Sequence, residues 1–186
     1  IQECRRTWAD EGQDFDYGTL TTLASEAPAL RSLIFPNAPR FSKPGGMPEK
    51  IAAYCRESGQ PVPSSPGEFV RCTIDSLALL YRQTLEELIS VTGKPITRLH
   101  IVGGGSRNAL LNQAAANATG RTVLAGPVEA TALGNVLIQA LALGHLSSIS
   151  ELRAVIRNSF EPEIHTPNAA PEWLEAFQRF EKLPRE

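Results

Sequence analysis

The chain has 186 residues, of which 42% are hydrophobic and 20% are charged, with a net charge of −2 at neutral pH. This balance is typical of a globular domain and shows neither the basic stripe of a nucleic-acid-binding protein nor the long charge run of a disordered tail. The apolar runs, such as Leu77 to Leu80, are too short to span a membrane, so we expect neither nucleic acid nor membrane as a partner.

The first predicted element is the end of a helix, IQECRRTWADEG, which terminates at Gly12. It has neither an initiator methionine nor the apolar core of a signal peptide, so we expect the chain to be a piece of a longer protein. Helical apolar spacing predicts a second helix over 17–27, with Asp16 as its cap. A loop rich in proline and glycine over 34–48 and a short helix over 49–57 follow.

The clearest helix prediction covers residues 66–91. Ser65 and Glu68 form a capping box around a proline at the first helical position, which is typical of a helix start. Gly93 and the proline that follows it end the helix. Apolar residues recur along it at helical spacing: Phe69, Ile74, Leu77, Leu80, Tyr81, Leu85, Leu88 and Ile89.

A strand, a helix and a second strand are predicted next. Residues 98–102 and 122–125 have the composition of strands, and a helix over 108–119 separates them. This order predicts a parallel, right-handed β-α-β unit, and a further helix over 129–143 follows it. Because two strands are too few for a covered parallel sheet, we expect the missing strands upstream of Ile1.

Two more helices are predicted in the last part of the chain. A capping box at 148–151 begins a helix that runs to about Asn158, and an amphipathic pattern predicts the last helix over 171–182. The chain as a whole is therefore predicted to be helix-rich α/β. We divide it into a mainly helical segment, a β-α-β-α core and C-terminal helices, with the bounds 1–97, 98–144 and 145–186.

Cysteine and histidine give little evidence of a metal site. The chain contains neither a C-x-x-C pair nor a Cys/His cluster, and an odd number of cysteines without a secretion signal favours a reducing, cytoplasmic environment. A close Cys55–Cys72 pair remains an alternative, because a short proline-rich loop joins their elements. The remaining cysteine and the three histidines have no partner at metal-binding spacing. They are Cys4, His100, His145 and His165.

The stretch LHIVGGGSRNALLNQ places three glycines, Gly103 to Gly105, between a strand and a helix start. Phosphate-bearing ligands commonly bind at such a place, because bare backbone N–H groups and the helix dipole face the anion. The dinucleotide fingerprint does not fit, since Asn108 stands where its third glycine is required, and the Walker loop lacks its lysine. On spacing alone, an anionic ligand and close packing of strand against helix both remain open.

Four sequence blocks in the same order give a stronger indication. IVGGGSRNALLNQ and AGPVEATALGN, together with PRFSKPGGMPEKIAAYCRESGQPVP and VRCTIDSLALLYRQTLEEL, resemble the C-terminal signature of the FGGY family of carbohydrate kinases. The chain is most similar to the rhamnulokinase branch of that family, from its first residue to about residue 167. The resemblance implies part of the second lobe of a two-lobed actin-like, ribonuclease-H-like ATPase, with ATP and sugar bound between the lobes.

The resemblance also implies roles for particular residues. Gly104 matches the position whose backbone approaches the nucleotide, and Gly103 and Gly105 shape the same turn. Asn108 matches a polar contact near the adenosine, although asparagine is also a good helix cap. Gln2 matches a glutamine that contacts ATP, although by itself it would be an exposed helix residue.

Other polar residues near these motifs have simpler interpretations. Ser106 and Arg107 are interpreted as turn and solvent-exposed residues. Glu129 is interpreted as the partner of a helix dipole rather than as a catalytic acid. Small residues after it, at 130, 132 and 134, are interpreted as a face for close packing of helix on sheet.

The residues that would carry out the chemistry are expected elsewhere. The family uses an aspartate as general base on the sugar hydroxyl, and the four aspartates of this chain do not lie in that motif: Asp10, Asp14, Asp16 and Asp75. We therefore expect the base and the Mg²⁺ ligands upstream of Ile1, and we expect this chain alone to be inactive.

The resemblance implies an ATP-dependent kinase that converts L-rhamnulose to L-rhamnulose 1-phosphate with Mg²⁺. The alternatives are a kinase for another sugar or polyol (xylulose, fuculose or glycerol) and a non-catalytic helical interaction module.

Overall fold

A computed structural model describes residues 1–168 and 171–186. The described residues form eight α-helices and three short strands. The helices are α1 (Gln2–Asp10), α2 (Tyr17–Glu26), α3 (Met47–Glu57), α4 (Pro66–Thr92), α5 (Ala109–Thr119), α6 (Ala130–Ala142), α7 (Ile149–Ser159) and α8 (Glu172–Glu181). The strands are β1 (Arg98–Ile101), β2 (Thr122–Ala125) and β3 (Glu163–His165). The helix-rich α/β class predicted from the sequence is confirmed.

The helix starts follow local capping signals in the sequence. Ser65 accepts a hydrogen bond from the backbone N–H of Glu68 at 3.3 Å, as its capping box predicts. The Glu68 carboxylate, however, accepts from the N–H of Ser64 at 2.7 Å, one residue before the cap. This bond lowers the pKa of Glu68. The box at 148–151 has the same geometry, with its glutamate accepting from the N–H of Ser147 at 2.8 Å.

The three strands form one mixed sheet in the order β1-β2-β3. β1 and β2 are parallel and α5 connects them, which confirms the predicted β-α-β unit. β3 pairs antiparallel with β2, so the prediction of only two strands within the chain was wrong. The third strand has only three residues between prolines, and its extended conformation is stabilised by pairing with a strand about forty residues away, which no local pattern reveals.

The main hydrophobic core lies among the helices rather than on the sheet. α1, α2, α3, α4 and α5 contribute buried residues to one continuous cluster, and α8 adds Trp173, Phe177 and Phe180. The last segment is also held by polar contacts. The Tyr54 hydroxyl donates to the carbonyl of Pro184 at 2.5 Å. A smaller cluster joins α5 to the sheet through Ile101, Ala115, Ala116 and Val123.

The helix α6 packs mainly on α7 and has no buried residue. It is nevertheless strongly apolar in sequence, and Val136, Ile138 and Leu143 are more than half exposed. The sequence predicts that small residues of α6 pack closely on the sheet. At Gly134 this prediction is wrong, because an added Cβ would meet nothing within 4 Å. Among the described residues, no helix combines the length and the apolar character needed to cross a bilayer.

Candidate functional site

The two motifs that the sequence singled out meet at one edge of the sheet. Residues 103–107, here called the glycine turn, follow the carboxyl end of β1, and residues 126–129, the second turn, follow that of β2. The N–H of Gly103 donates to the carbonyl of Pro127 at 3.1 Å, and the N–H of Gly126 donates to that of Ile101 at 2.8 Å. In open α/β sheets, ligands bind outside the carboxyl ends of parallel strands.

The three glycines of the turn are not equivalent. Gly103 has a φ of +75°, a left-handed conformation that favours glycine, whereas the other two do not. A Cβ added to Gly105 would lie at ordinary contact distance, 3.8 Å, from the side chain of Ile101. Gly104 is exposed, and a Cβ added there would meet nothing within 4 Å. Packing within the described residues therefore does not require a glycine at 104.

Three hydrogen bonds hold the turn, and one of them comes from the following helix. The Ser106 hydroxyl donates to the carbonyl of Gly103 at 2.7 Å, and the side-chain amide of Asn112 donates to the carbonyl of Ser106 at 2.9 Å. The N–H of Asn108 donates to the carbonyl of Gly105 at 3.1 Å. Ser106 is buried, so it is a structural residue of the turn, as the sequence suggested. Asn112 was not singled out from the sequence, where it is one polar residue in an alanine-rich helix.

Asn108 is the N-cap of α5. Its Oδ1 accepts a hydrogen bond of 3.0 Å from the backbone N–H of Leu111, which confirms the capping interpretation. The first turn of α5 therefore begins directly beside the three glycines. A helix N-terminus next to exposed glycine backbone is a favourable environment for an anion.

The remaining predicted site residue lies on a different element. Gln2 is exposed at the start of α1, which packs on α3, and thus belongs to the helical cluster rather than to the glycine turn. Arg107 is exposed at the end of the turn. Glu129 precedes α6 without a capping hydrogen bond from its side chain.

The structure places the aspartates away from the sheet edge. Asp75 is buried inside α4, and Asp16 caps α2 by accepting from the N–H of Thr19 at 2.6 Å. Asp10 and Asp14 are exposed near the end of α1. Within residues 1–168 and 171–186, no three metal-ligating side chains cluster in a way that fits a metal ion.

The cysteines and histidines also lie away from the turns, except that the exposed His100 is on β1. All three cysteines are buried free thiols, and Cys55 and Cys72 lie within hydrogen-bonding reach of each other. His145 is exposed beyond α6. His165 is buried on β3, with its Nε2 3.3 Å from a carboxylate oxygen of Glu163.

Sequence comparison identifies the family. The profile of the FGGY family of carbohydrate kinases, C-terminal domain, matches residues 1–143. A rhamnulokinase of Bacteroides thetaiotaomicron is 43% identical over 185 residues, which cover all of this chain and 37% of that protein. A rhamnulokinase of Pectobacterium atrosepticum is 48% identical over 168 residues, 90% of this chain and 34% of that protein. The chain thus spans about a third of the length of the curated relatives that it matches.

Solved structures show the same fold. A xylulose kinase from Rhodospirillum rubrum superposes with a TM-score of 0.61 at 20% identity, over 89% of this chain and 33% of that one. A glycerol kinase from Plasmodium falciparum, solved with ADP, superposes with a TM-score of 0.63 at 13% identity, over 90% of this chain and 33% of that one. The similarity in fold agrees with the profile match and with the order of the sequence motifs. The chain therefore belongs to the FGGY family of carbohydrate kinases and corresponds to the C-terminal domain of that family.

Proposed function

We propose that this chain is the ATP-binding portion of a kinase that phosphorylates L-rhamnulose at its 1-hydroxyl and yields L-rhamnulose 1-phosphate. The sugar assignment is supported by relatives named rhamnulokinase that are 43% to 49% identical to this chain. A kinase for xylulose or glycerol is the second candidate, because solved kinases of both kinds share the fold, though at only 20% and 13% identity.

The observation that carries the nucleotide assignment is the exposed backbone of Gly104. Packing within the described residues does not require a glycine there, yet the position lies at the carboxyl edge of the sheet, beside the N-terminus of α5. A phosphate group can approach such a backbone closely because no Cβ stands in the way, and the helix dipole favours its charge.

Each predicted site residue then has a definite task. The N–H groups of Gly104 and Gly105 face the phosphates, and Gly103, whose own N–H is bonded to the carbonyl of Pro127, provides the left-handed bend that exposes them. Asn108 uses Oδ1 for its cap, so its Nδ2 is the group that donates to the nucleotide. Gln2 lies on α1, in the helical cluster, and its contact with the nucleotide is proposed from the family resemblance alone. Residues 98–144 form the nucleotide-binding core in this proposal.

Phosphoryl transfer depends mainly on positioning and on stabilisation of charge. This chain holds the nucleotide and helps to exclude water from it, so that the γ-phosphoryl group lies in line with the attacking sugar hydroxyl. Mg²⁺ would neutralise the developing charge, but the described residues offer no carboxylate cluster that fits it. We therefore assign the Mg²⁺ ligands and the general base to the part of the parent protein outside this chain.

Replacement of Gly104 tests the nucleotide site. In the full-length protein, Gly104→Val should raise the KM for ATP by about tenfold or more, because the added side chain blocks close approach. The KM for L-rhamnulose and the melting temperature should stay unchanged, since the added Cβ meets open space. Gly18→Val, at an exposed glycine of α2, is the matched control and should alter neither KM. An equal rise of both KM values in the Gly104 variant, or no rise, would refute the assignment.

A substrate panel tests the sugar. With saturating MgATP, kcat/KM should be highest for L-rhamnulose among L-rhamnulose, L-fuculose, D-xylulose and glycerol. A higher kcat/KM for one of the other three would transfer the assignment to that kinase class and leave the nucleotide site untouched.

A further inference from the structure

Asn112 is the most deeply buried polar side chain beside the glycine turn, with 0% of its surface exposed. Its Nδ2 donates a hydrogen bond of 2.9 Å to the carbonyl of Ser106, whereas its Oδ1 is buried without a partner. A buried amide whose acceptor is unsatisfied is a poor source of stability, because the desolvation of that oxygen is not compensated. A leucine has the same branched shape and carries no buried acceptor, so it avoids that cost.

The contacts of Asn112 lead directly to the glycines. Asn112 donates a hydrogen bond to the carbonyl of Ser106, and the Ser106 hydroxyl donates to the carbonyl of Gly103 at 2.7 Å. Gly104 lies between these two fixed points and has no neighbour of its own within 4 Å of an added Cβ. The position of its backbone is therefore set by the bonds on either side of it.

We propose that Asn112, acting through Ser106, is a positioning residue that fixes the backbone of Gly104 in the orientation that binds the nucleotide phosphates. This inference rests on the proposed function and adds a residue to it that makes no contact with the ligand. The unpaired Oδ1 of Asn112 supports this role. The amide lowers stability by burying that acceptor, and what it provides in return is the hydrogen bond from its Nδ2 to the turn. Preorganised N–H groups bind an anion better than mobile ones, because no ordering cost remains at binding.

The test is Asn112→Leu in the full-length protein. Loss of the bond to Ser106 should raise the KM for ATP about fivefold to tenfold, the effect expected when one positioning hydrogen bond is removed. The KM for the sugar should stay within about twofold. The melting temperature should fall only slightly, because leucine keeps the branched shape of the amide and removes its unpaired acceptor, although it leaves the Ser106 carbonyl without that donor. This split between the two substrates is a readout that a purely structural role would not produce.

Asn117→Leu provides the matched control. Asn117 is on the same helix, but its side chain accepts hydrogen bonds from Gln113 and from the backbone of Asn168, each at 2.9 Å. This variant should leave the KM for ATP unchanged. An effect as large as that of Asn112→Leu would show that any change in α5 disturbs the site, and the proposal would fail.

Ser106→Ala keeps the proposal testable if the Asn112 variant does not fold. It removes only the hydroxyl that holds Gly103 and should raise the KM for ATP in the same way. Where both variants fold, the double variant should raise it by less than the product of the single effects, because both act through one turn.

Three possible results distinguish a failure of this inference from a failure of the proposed nucleotide site. If Gly104→Val raises the KM for ATP and Asn112→Leu does not, positioning by Asn112 is wrong and the nucleotide site stands. If neither variant changes that KM, the nucleotide site itself is wrong. If Asn112→Leu raises both KM values and lowers the melting temperature, the residue is structural and the inference fails.

Discussion

The carboxylate of Asp75 accepts a hydrogen bond of 2.6 Å from the backbone N–H of Leu30. Leu30 has a φ of +57° and is the only non-glycine residue in the described chain with a left-handed backbone. The same carboxylate accepts from Nε of Arg71, which lies 3.0 Å and 3.1 Å from its two oxygens. Asp75 therefore fixes an unfavourable loop conformation onto α4, and its role is structural rather than catalytic.

Asp75→Ala should lower the free energy of unfolding by about 3 kcal/mol, because it leaves the buried N–H of Leu30 without an acceptor and the cation of Arg71 without its carboxylate. Equilibrium unfolding in urea, followed by circular dichroism, measures the change. Glu86→Ala is the control, since it breaks an ion pair of the same spacing with Arg82 on a side chain that is 47% exposed. That loss should be about 0.5 kcal/mol or less, and equal losses in the two variants would contradict the role of Asp75.

Asp75 should also give a distinctive dependence of stability on pH. Burial raises the pKa of Asp75 above its ordinary value of 3.8, although Arg71 and the N–H of Leu30 act in the opposite direction. The folded state therefore holds the proton more tightly than the unfolded state, so this group's contribution to stability falls as pH rises from 3.8 through the raised value.

Asp75→Asn keeps an acceptor for Leu30 and removes the charge, so it isolates this titration. The free energy of unfolding of the unmodified protein relative to this variant should decrease with pH across that window and be flat on either side. Urea unfolding of both proteins at a series of pH values measures the difference. A difference that is constant or increases with pH would show that the carboxyl has no raised pKa.

Gly67 allows α2 and α4 to pack closely. A Cβ added at this buried residue in the first turn of α4 would lie 2.5 Å from the backbone carbonyl oxygen of Leu23. Gly67→Ala should therefore lower the free energy of unfolding by about 2 kcal/mol, because separation of the two helices outweighs the better helix propensity of alanine. Gly134→Ala, in α6 where an added Cβ meets nothing within 4 Å, should instead stabilise this chain by about 0.5–1 kcal/mol. Thermal unfolding of the two variants should show shifts of opposite sign.

The three cysteines should behave as inert thiols. Burial raises the pKa of Cys4, and contact with Cys55 together with burial raises the pKa of Cys72. The same contact lowers the pKa of Cys55, but its side chain is 0% exposed. Ellman's reagent should therefore react slowly with the folded protein and with three thiols after unfolding in urea without reductant. Reaction of Cys4 alone after unfolding would show that Cys55 and Cys72 form a disulfide.

Local interactions explain why much of the fold is predictable from the sequence. Side chains cap the starts of α2, α4 and α7, and each lies within three residues of the backbone N–H group that it binds. These side chains are Asp16, Ser65 and Ser148. The ends of α4 and α5 are set by the left-handed glycines Gly93 and Gly120. Such signals lie within one turn of chain, so a single sequence reveals them.

Features that depend on distant contacts were not predictable. β3 is defined by its pairing with β2. Gly103 and Gly104 are neighbouring residues of the same type, yet only Gly103 has a left-handed backbone. The proposed role of Asn112 depends on its burial beside the turn, which helical periodicity does not encode. The ligand contacts of Gln2, residues 103–105 and Asn108 rest on resemblance and remain predictions.

The packing of α8 has a consequence for folding during synthesis. Arg179 donates to the carbonyl of Leu30 at 2.6 Å across 149 positions, and Phe180 is fully buried in a core that begins with α1. The helical cluster is therefore incomplete until α8 has left the ribosome, although α1 to α4 have already emerged. Contacts of such long range form slowly and leave apolar surface open in the meantime. Until α8 arrives, the nascent chain should thus expose the apolar surface that Trp173, Phe177 and Phe180 cover in the folded protein.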